Sequence, residues 1–197
     1  MRRLPRPSEL PPHMPRLRDA PHRALCRLVL RIAGWKLDGE LPDLPRLVLI
    51  AAPHSSWWDG VWGLLMKVAI GADIRFMAKQ ELFRPPLAGL LRQLGGIAVD
   101  RGATTGVVGQ MLAQFGRQPR LWLGIAPEGT RKPVPRWKSG FWRIAHGAGV
   151  PVLPVAFDYP SKSIVIGTPM STGADLDADL ARLRTFYAPF RGKHRKV

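Results

Sequence analysis

The chain has 197 residues, with 30 Lys plus Arg against 14 Asp plus Glu, a net charge of +16. That length accommodates one α/β domain with a sizeable core and is short for two. The basic excess favours phosphates, anionic lipid or an acidic protein partner without choosing among them, and the single cysteine, Cys26, excludes an internal disulfide framework and a cysteine-based zinc site and implies a reducing compartment.

Residues 1–20 are basic and broken by prolines, with no apolar h-region, so they read as a mobile arm rather than a secretory signal. One domain is expected over 21–190, followed by a basic tail at 191–197. No apolar run approaches the roughly 18 to 20 residues that span a bilayer. The most apolar helix candidate is interrupted by Lys67, so any membrane contact is made from the surface.

From Pro21 to Trp35 the sequence predicts a helix with Arg23, Arg27 and Arg31 in one i, i+4 row. Leu25, Leu28, Val29 and Ile32 fall on its other side. This pattern suits an interfacial helix over anionic headgroups, and equally a core-packed helix with a solvated arginine face. Trp35 to Leu37 can form a short strand, and Asp38 to Pro45 a turn leading to Leu47–Ala52, an apolar run that reads as a buried strand broken by Pro53. Asp59 can cap a helix with Val61, Leu64, Leu65 and Val68 at helical spacing, ending near Gly71.

Asp73 to Ala78 predicts a strand, Leu87 to Leu94 a short helix stopped by Gly95-Gly96, and Ile97 to Val99 a strand ending in Asp100-Arg101. A helix is expected from about Thr104 to Arg117, a strand over Leu121 to Ala126, then the turn Pro127-Glu128-Gly129-Thr130-Arg131. After a basic loop over Lys132 to Lys138, Ser139 to Ala148 returns to helical spacing. Strands at Val150–Phe157 and Ser163–Ile166 and a helix at Leu176–Tyr187 complete an alternation that defines the α/β class.

Chemistry concentrates after the strand Leu47–Ala52. His54 and Asp59 lie about 140° apart on a regular helix and would not meet. With Asp59 in a first helical turn, its carboxylate can instead return to one imidazole nitrogen, leaving the other free to accept a proton. The plainer reading is a capping aspartate beside an ordinary turn histidine, and the pentad alone leaves both open. Arg101 and Arg131 at strand ends, with Gly129 admitting close backbone approach, are what a phosphate site needs: a planar fork of donors and free N–H groups. Each stretch alone reads equally as something plainer, Asp100-Arg101 as a surface salt bridge and Glu128 to Arg131 as an ordinary turn.

In order and spacing these stretches resemble the glycerolipid acyltransferase family of the lysophosphatidate acyltransferase type. The resemblance is carried by Pro53-His54-Ser55-Ser56-Trp57-Trp58-Asp59, by Lys79-Gln80-Glu81-Leu82 through Gly95 to Arg101, by Pro127-Glu128-Gly129-Thr130-Arg131, and by Val150-Pro151-Val152-Leu153-Pro154-Val155-Ala156. It runs from about Trp35 to Met170 and implies a mixed central sheet flanked by helices. It implies an O-acyltransferase using acyl-CoA or acyl-acyl carrier protein and a lysophospholipid acceptor, with no metal, no cofactor and no enzyme nucleophile. His54 would act as general base oriented by Asp59. Arg101 and the Glu128-Gly129-Thr130-Arg131 turn would bind the acceptor, with Glu128 positioning Arg131 or accepting a hydroxyl's hydrogen bond. The expected location is cytoplasmic, peripheral on the inner face of the membrane.

Pro53 stands where the family often has asparagine, Ala126 where an aromatic is common, and the bulky Trp57-Trp58 pair lies inside the first block. These departures leave the acceptor open. Two other functions are weighed. A non-catalytic basic module would bind nucleic acid or anionic membrane through Arg2, Arg3, Arg6, Arg191, Lys193, Arg195 and Lys196, but the chain carries no reading motif for nucleic acid. A thioester hydrolase would release free fatty acid instead of ester.

Overall fold

The computed structural model describes residues 4–17, 22–100 and 102–194. A seven-stranded sheet runs through the molecule in the order β1-β7-β6-β2-β5-β3-β4. Its strands are β1 (Lys36–Asp38), β2 (Arg46–Ala52), β3 (Ile74–Lys79), β4 (Gly96–Val99), β5 (Leu121–Ile125), β6 (Val152–Asp158) and β7 (Ser163–Ile166). All pairings are parallel except β6 with β7. The sheet is therefore mixed, as the resemblance implies.

β2 lies between β5 and β6 and is covered on both faces, which is why it reads as a continuous apolar run and not as an alternating one. Leu47 and Leu49 face a core shared with α1 (Arg23–Ala33) and α2 (Trp57–Ile70). Val48, Ile50 and Ala52 face the opposite core, built with α4 (Gly106–Arg117), α5 (Gly140–Ala148) and α6 (Leu176–Tyr187). The short α3 (Leu87–Gln93) precedes the edge strand β4. Because β2, β5 and β6 are parallel, their carboxyl ends meet at one edge of the sheet, where open α/β sheets place ligands.

Pro154 occupies the middle of β6, a place where its missing N–H interrupts a ladder. The fully buried Tyr187 from α6 mends this region. Its hydroxyl donates to the Ile50 carbonyl at 2.7 Å, Ile50 being the residue registered on Pro154, and accepts the Val155 N–H at 3.0 Å. Tyr187→Phe strands both backbone groups in a dry core. Its unfolding free energy, measured by urea titration, is expected to fall by about 1–3 kcal/mol.

Two sequence expectations change. The described part of the arm, residues 4–17, is not mobile but packed: Leu10 and Met14 enter the core, and Leu17 N–H donates to Gly71 O at 2.9 Å. The arginine row of α1 does not face solvent as a unit. Arg27 turns inward, donating to the carbonyls of Leu4, Pro5 and Ala69, and so ties the arm to α1 and α2. Leu25, Leu28 and Ile32 take the outer face, Ile32 being 77% exposed. Backbone carbonyls of the arm need donors more than the surface needs charge, and this inverts the helix.

Lys67, the charge that interrupts the apolar α2, is buried with its ammonium donating to the carbonyls of Ile74 and Leu94. Burial lowers its pKa to about 8. Among the described residues no helix is long and apolar enough to cross a membrane.

Candidate active site

α2 starts three residues earlier than a cap at Asp59 would put it. Ser56 is the N-cap, its hydroxyl accepting Trp58 N–H at 3.3 Å, and Asp59 is the third helical residue. From there the Asp59 carboxylate reaches back in a capping box: Oδ2 accepts the N–H groups of Ser55 and Ser56, each at 2.8 Å. The same oxygen lies 3.2 Å from His54 Nδ1. The two sequence readings of the pentad are therefore not alternatives, because the carboxylate that closes the helix also holds the imidazole.

Asp59 is completely buried, while the His54 side chain retains 26% of its exposure. The second carboxylate oxygen, Oδ1, accepts the Tyr159 hydroxyl at 2.6 Å. Burial alone would push the Asp59 carboxyl up, but hydrogen bonds from His54, Tyr159 and the Ser56 N–H outweigh it and hold the group below its ordinary value. It is thus a fixed anion whose proton-side partner is the imidazole.

The turn after β5 closes the other side of His54. Glu128, buried, accepts the His54 backbone N–H on Oε1 at 2.8 Å. What the structure shows for Glu128 is anchorage of the histidine turn. Gly129 adopts a left-handed φ of +65°, and a Cβ there would come within 3.0 Å of the Lys138 side chain. The left-handed conformation favours glycine, and the lysine end would have to shift for any side chain there. Thr130 Oγ1 accepts Lys132 N–H at 3.2 Å, and Arg131 is exposed at the tip. Arg101 lies outside the described residues, as do Arg2, Arg3, Arg195 and Lys196.

The structure thus brings His54, Asp59 and Glu128 together and sets the 129–131 turn beside them. It adds two side chains that the sequence did not single out. Lys138 is delivered to Gly129 by the Lys138 N–H to Pro127 O bond of 2.9 Å, and Tyr159 comes from the end of β6. Neither had a local signal, since each meets the site only through the fold. Among the described residues no group of three or more His, Cys, Asp or Glu side chains converges as a metal cluster would.

His54 and Asp59 also line a cavity of about 350 Å³ that runs between α2 and the sheet. Its walls are apolar, with Leu49, Phe76, Trp122, Val155 and Phe157 among them. On the α2 side the lining recurs every three or four residues, at Asp59, Gly63, Met66 and Ile70. At 1.5 Å per residue that stripe is about 16 Å long. Gly60 and Gly63 cost helix stability but keep α2 thin where it roofs the cavity. Two glycines inside an otherwise helical pattern were the available sequence signal.

An imidazole fixed by a buried carboxylate at the carboxyl edge of a mixed sheet, above an apolar cavity, defines an α/β protein equipped for proton transfer beside a hydrocarbon pocket. The chain belongs to the Acyltransferase family, whose model matches residues 40–158. A 1-acyl-sn-glycerol-3-phosphate acyltransferase of Streptococcus pneumoniae is 26% identical over an alignment of 135 positions that covers 64% of this chain and 50% of that protein. The chain therefore spans about half the length of this curated relative. The crystal structure of the 1-acyl-sn-glycerophosphate acyltransferase PlsC from Thermotoga maritima superposes with a TM-score of 0.61 over 83% of this chain and 74% of that one, at 18% identity. That likeness shows the shared fold.

Proposed function

We propose that this acyltransferase moves a fatty acyl group from acyl-CoA or acyl-acyl carrier protein to a hydroxyl of a lysophospholipid such as lysophosphatidate. One observation carries the reading: the His54–Asp59 pair opens directly onto an apolar cavity suited to a hydrocarbon chain. Asp59 engages Nδ1, which leaves Nε2 to take the proton of the acceptor hydroxyl. The hydroxyl oxygen attacks the thioester carbonyl. The tetrahedral intermediate then collapses to the ester, and the thiolate leaves with the proton returned by His54. Asp59 stabilises the imidazolium formed between the two steps.

Arg131, Thr130 and the Gly129 backbone, with Arg101, are the proposed cradle for the acceptor's phosphate, and Glu128 serves it by holding the His54 turn. The relative from Streptococcus pneumoniae supports this acceptor class by its name. The outward Leu25, Leu28 and Ile32 of α1, with Trp57 also exposed, together with the net charge of +16, support an anionic membrane surface as a further partner.

The test is turnover of acyl thioester by the purified protein with lysophosphatidate and with other lysolipids, products separated as ester or free acid. Ester formed with lysophosphatidate is expected. Free fatty acid alone would replace transfer by hydrolysis.

The cavity makes a second expectation. A Cβ on Gly63 meets Phe157 at an ordinary 3.5 Å, so Gly63→Leu fits the helix and fills the cavity instead. Donor preference should move to shorter acyl chains, read from kcat/KM across a thioester series. The thermal midpoint should hold or rise, because a helical glycine costs about 1 kcal/mol.

A further inference from the structure

We propose that Tyr159 is a positioning residue for acyl transfer, its hydroxyl holding the Asp59 carboxylate in the plane from which that carboxylate orients His54. This rests on the His54–Asp59 reading above. Oδ2 of Asp59 already serves three groups, the N–H of Ser55, the N–H of Ser56 and His54 Nδ1, so its position is tightly set. The rotation of the carboxylate about its bond to the helix is set by what grips the other oxygen. The Tyr159 hydroxyl grips it at 2.6 Å, from 100 residues away in sequence.

The tyrosine is itself held through its ring and its main chain. Its ring stands edge-on to Trp35 at 5.1 Å and 89°, and Trp35 stacks on Trp62, one turn beyond Asp59 on α2, also at 5.1 Å. Its backbone N–H donates to Arg191 O at 2.9 Å and its carbonyl accepts Lys162 N–H at 3.2 Å. The residue therefore couples the end of β6 to the start of α2 through a rigid aromatic strut. Burial and the adjoining Asp59 push its phenol pKa up, so it stays a donor over the working pH range of an imidazole base.

The charged and titratable groups around this pair come from several elements. Glu128 arrives from the β5 turn on the His54 backbone, Tyr159 from the end of β6, and Lys67 of α2 lies along the cavity that His54 and Asp59 line. Lys162 and Lys193 line the recess beside Tyr159, Lys193 lying over the Trp58 ring at 5.3 Å. Removing the donor on Oδ1 frees the carboxylate to turn away from the imidazole it orients.

Tyr159→Phe keeps the ring in place and deletes the hydroxyl. The expected result is a kcat about tenfold lower, a size consistent with a hydrogen bond to a charged group. KM should be unchanged, and the acidic limb of the kcat/KM profile displaced to lower pH, because a carboxylate free to turn stabilises the imidazolium less. Loss of folded enzyme would scale the whole profile without moving its limb, so the limb position separates positioning from stability. The same substitution in a His54→Ala background should leave the residual rate unaltered. A wild-type limb in Tyr159→Phe, or an equal rate loss with and without His54, overturns the proposal. Full activity in His54→Ala alone would instead overturn the general-base reading beneath it.

Discussion

Alanine at position 54 is expected to lower acyl transfer by about 10²- to 10⁴-fold, the range for loss of a general base, with the fold intact. The fold survives because what His54 gives its surroundings is largely main chain. Its N–H donates to Glu128, and that bond is indifferent to the side chain. The imidazole is partly exposed at the cavity mouth, so truncation opens a wet space and not a hole in the core. KM for the acyl thioester should change little, because the cavity that receives the chain is walled by other residues. The measurement is thioester consumption with lysophosphatidate, paired with a thermal unfolding curve. Equal turnover by wild type and His54→Ala would remove the imidazole from the mechanism, whatever the pair's geometry.

Much of the fold was readable because each strand and helix carries its own local pattern. β7 and α6 fall at Ser163–Ile166 and Leu176–Tyr187, where periodicity predicts them, and β2 is announced by an unbroken apolar run. At the candidate site, the His54–Asp59 pairing was legible as a possibility because it is local: one capping box determines it. What could not be read is what the fold delivers from a distance. The partners of the Tyr159 side chain, Asp59 and Trp35, lie in other segments. The strand over Pro154 is legible in its apolar run, but the Tyr187 hydroxyl that makes a proline tolerable there comes from another segment.

α1 shows a different failure. Its pattern of arginines and leucines is amphipathic either way round, and the deciding term is the set of carbonyls of Leu4, Pro5 and Ala69 that Arg27 satisfies. That term belongs to another part of the chain. Helical periodicity defines the two faces of such a helix but does not say which one the rest of the molecule will cover.

Asp59 is the position where substitution should separate charge from geometry. In Asp59→Asn, an amide NH2 turned toward Ser55 and Ser56 would set donor against donor, so the amide oxygen takes the place of Oδ2 and still accepts both N–H groups. The NH2 then faces the Tyr159 hydroxyl, which can rotate to accept. His54 keeps its tautomer and loses only the negative charge that stabilises the imidazolium. Asp59→Ala loses the tautomer as well and strands two backbone donors in a fully buried site. Both should fall within about 10²- to 10⁴-fold in kcat, asparagine at the lower end and alanine at the upper. Stability distinguishes them further. The native carboxyl is held below its ordinary value, so its ionisation contributes stability above about pH 4, and that contribution is lost as pH falls through the lower folded value. The gap in unfolding free energy between wild type and Asp59→Asn should therefore be widest near neutrality and narrow on acidification, read from urea titrations at stepped pH. A gap that widens in acid would mean the carboxylate is not the fixed anion that holds His54.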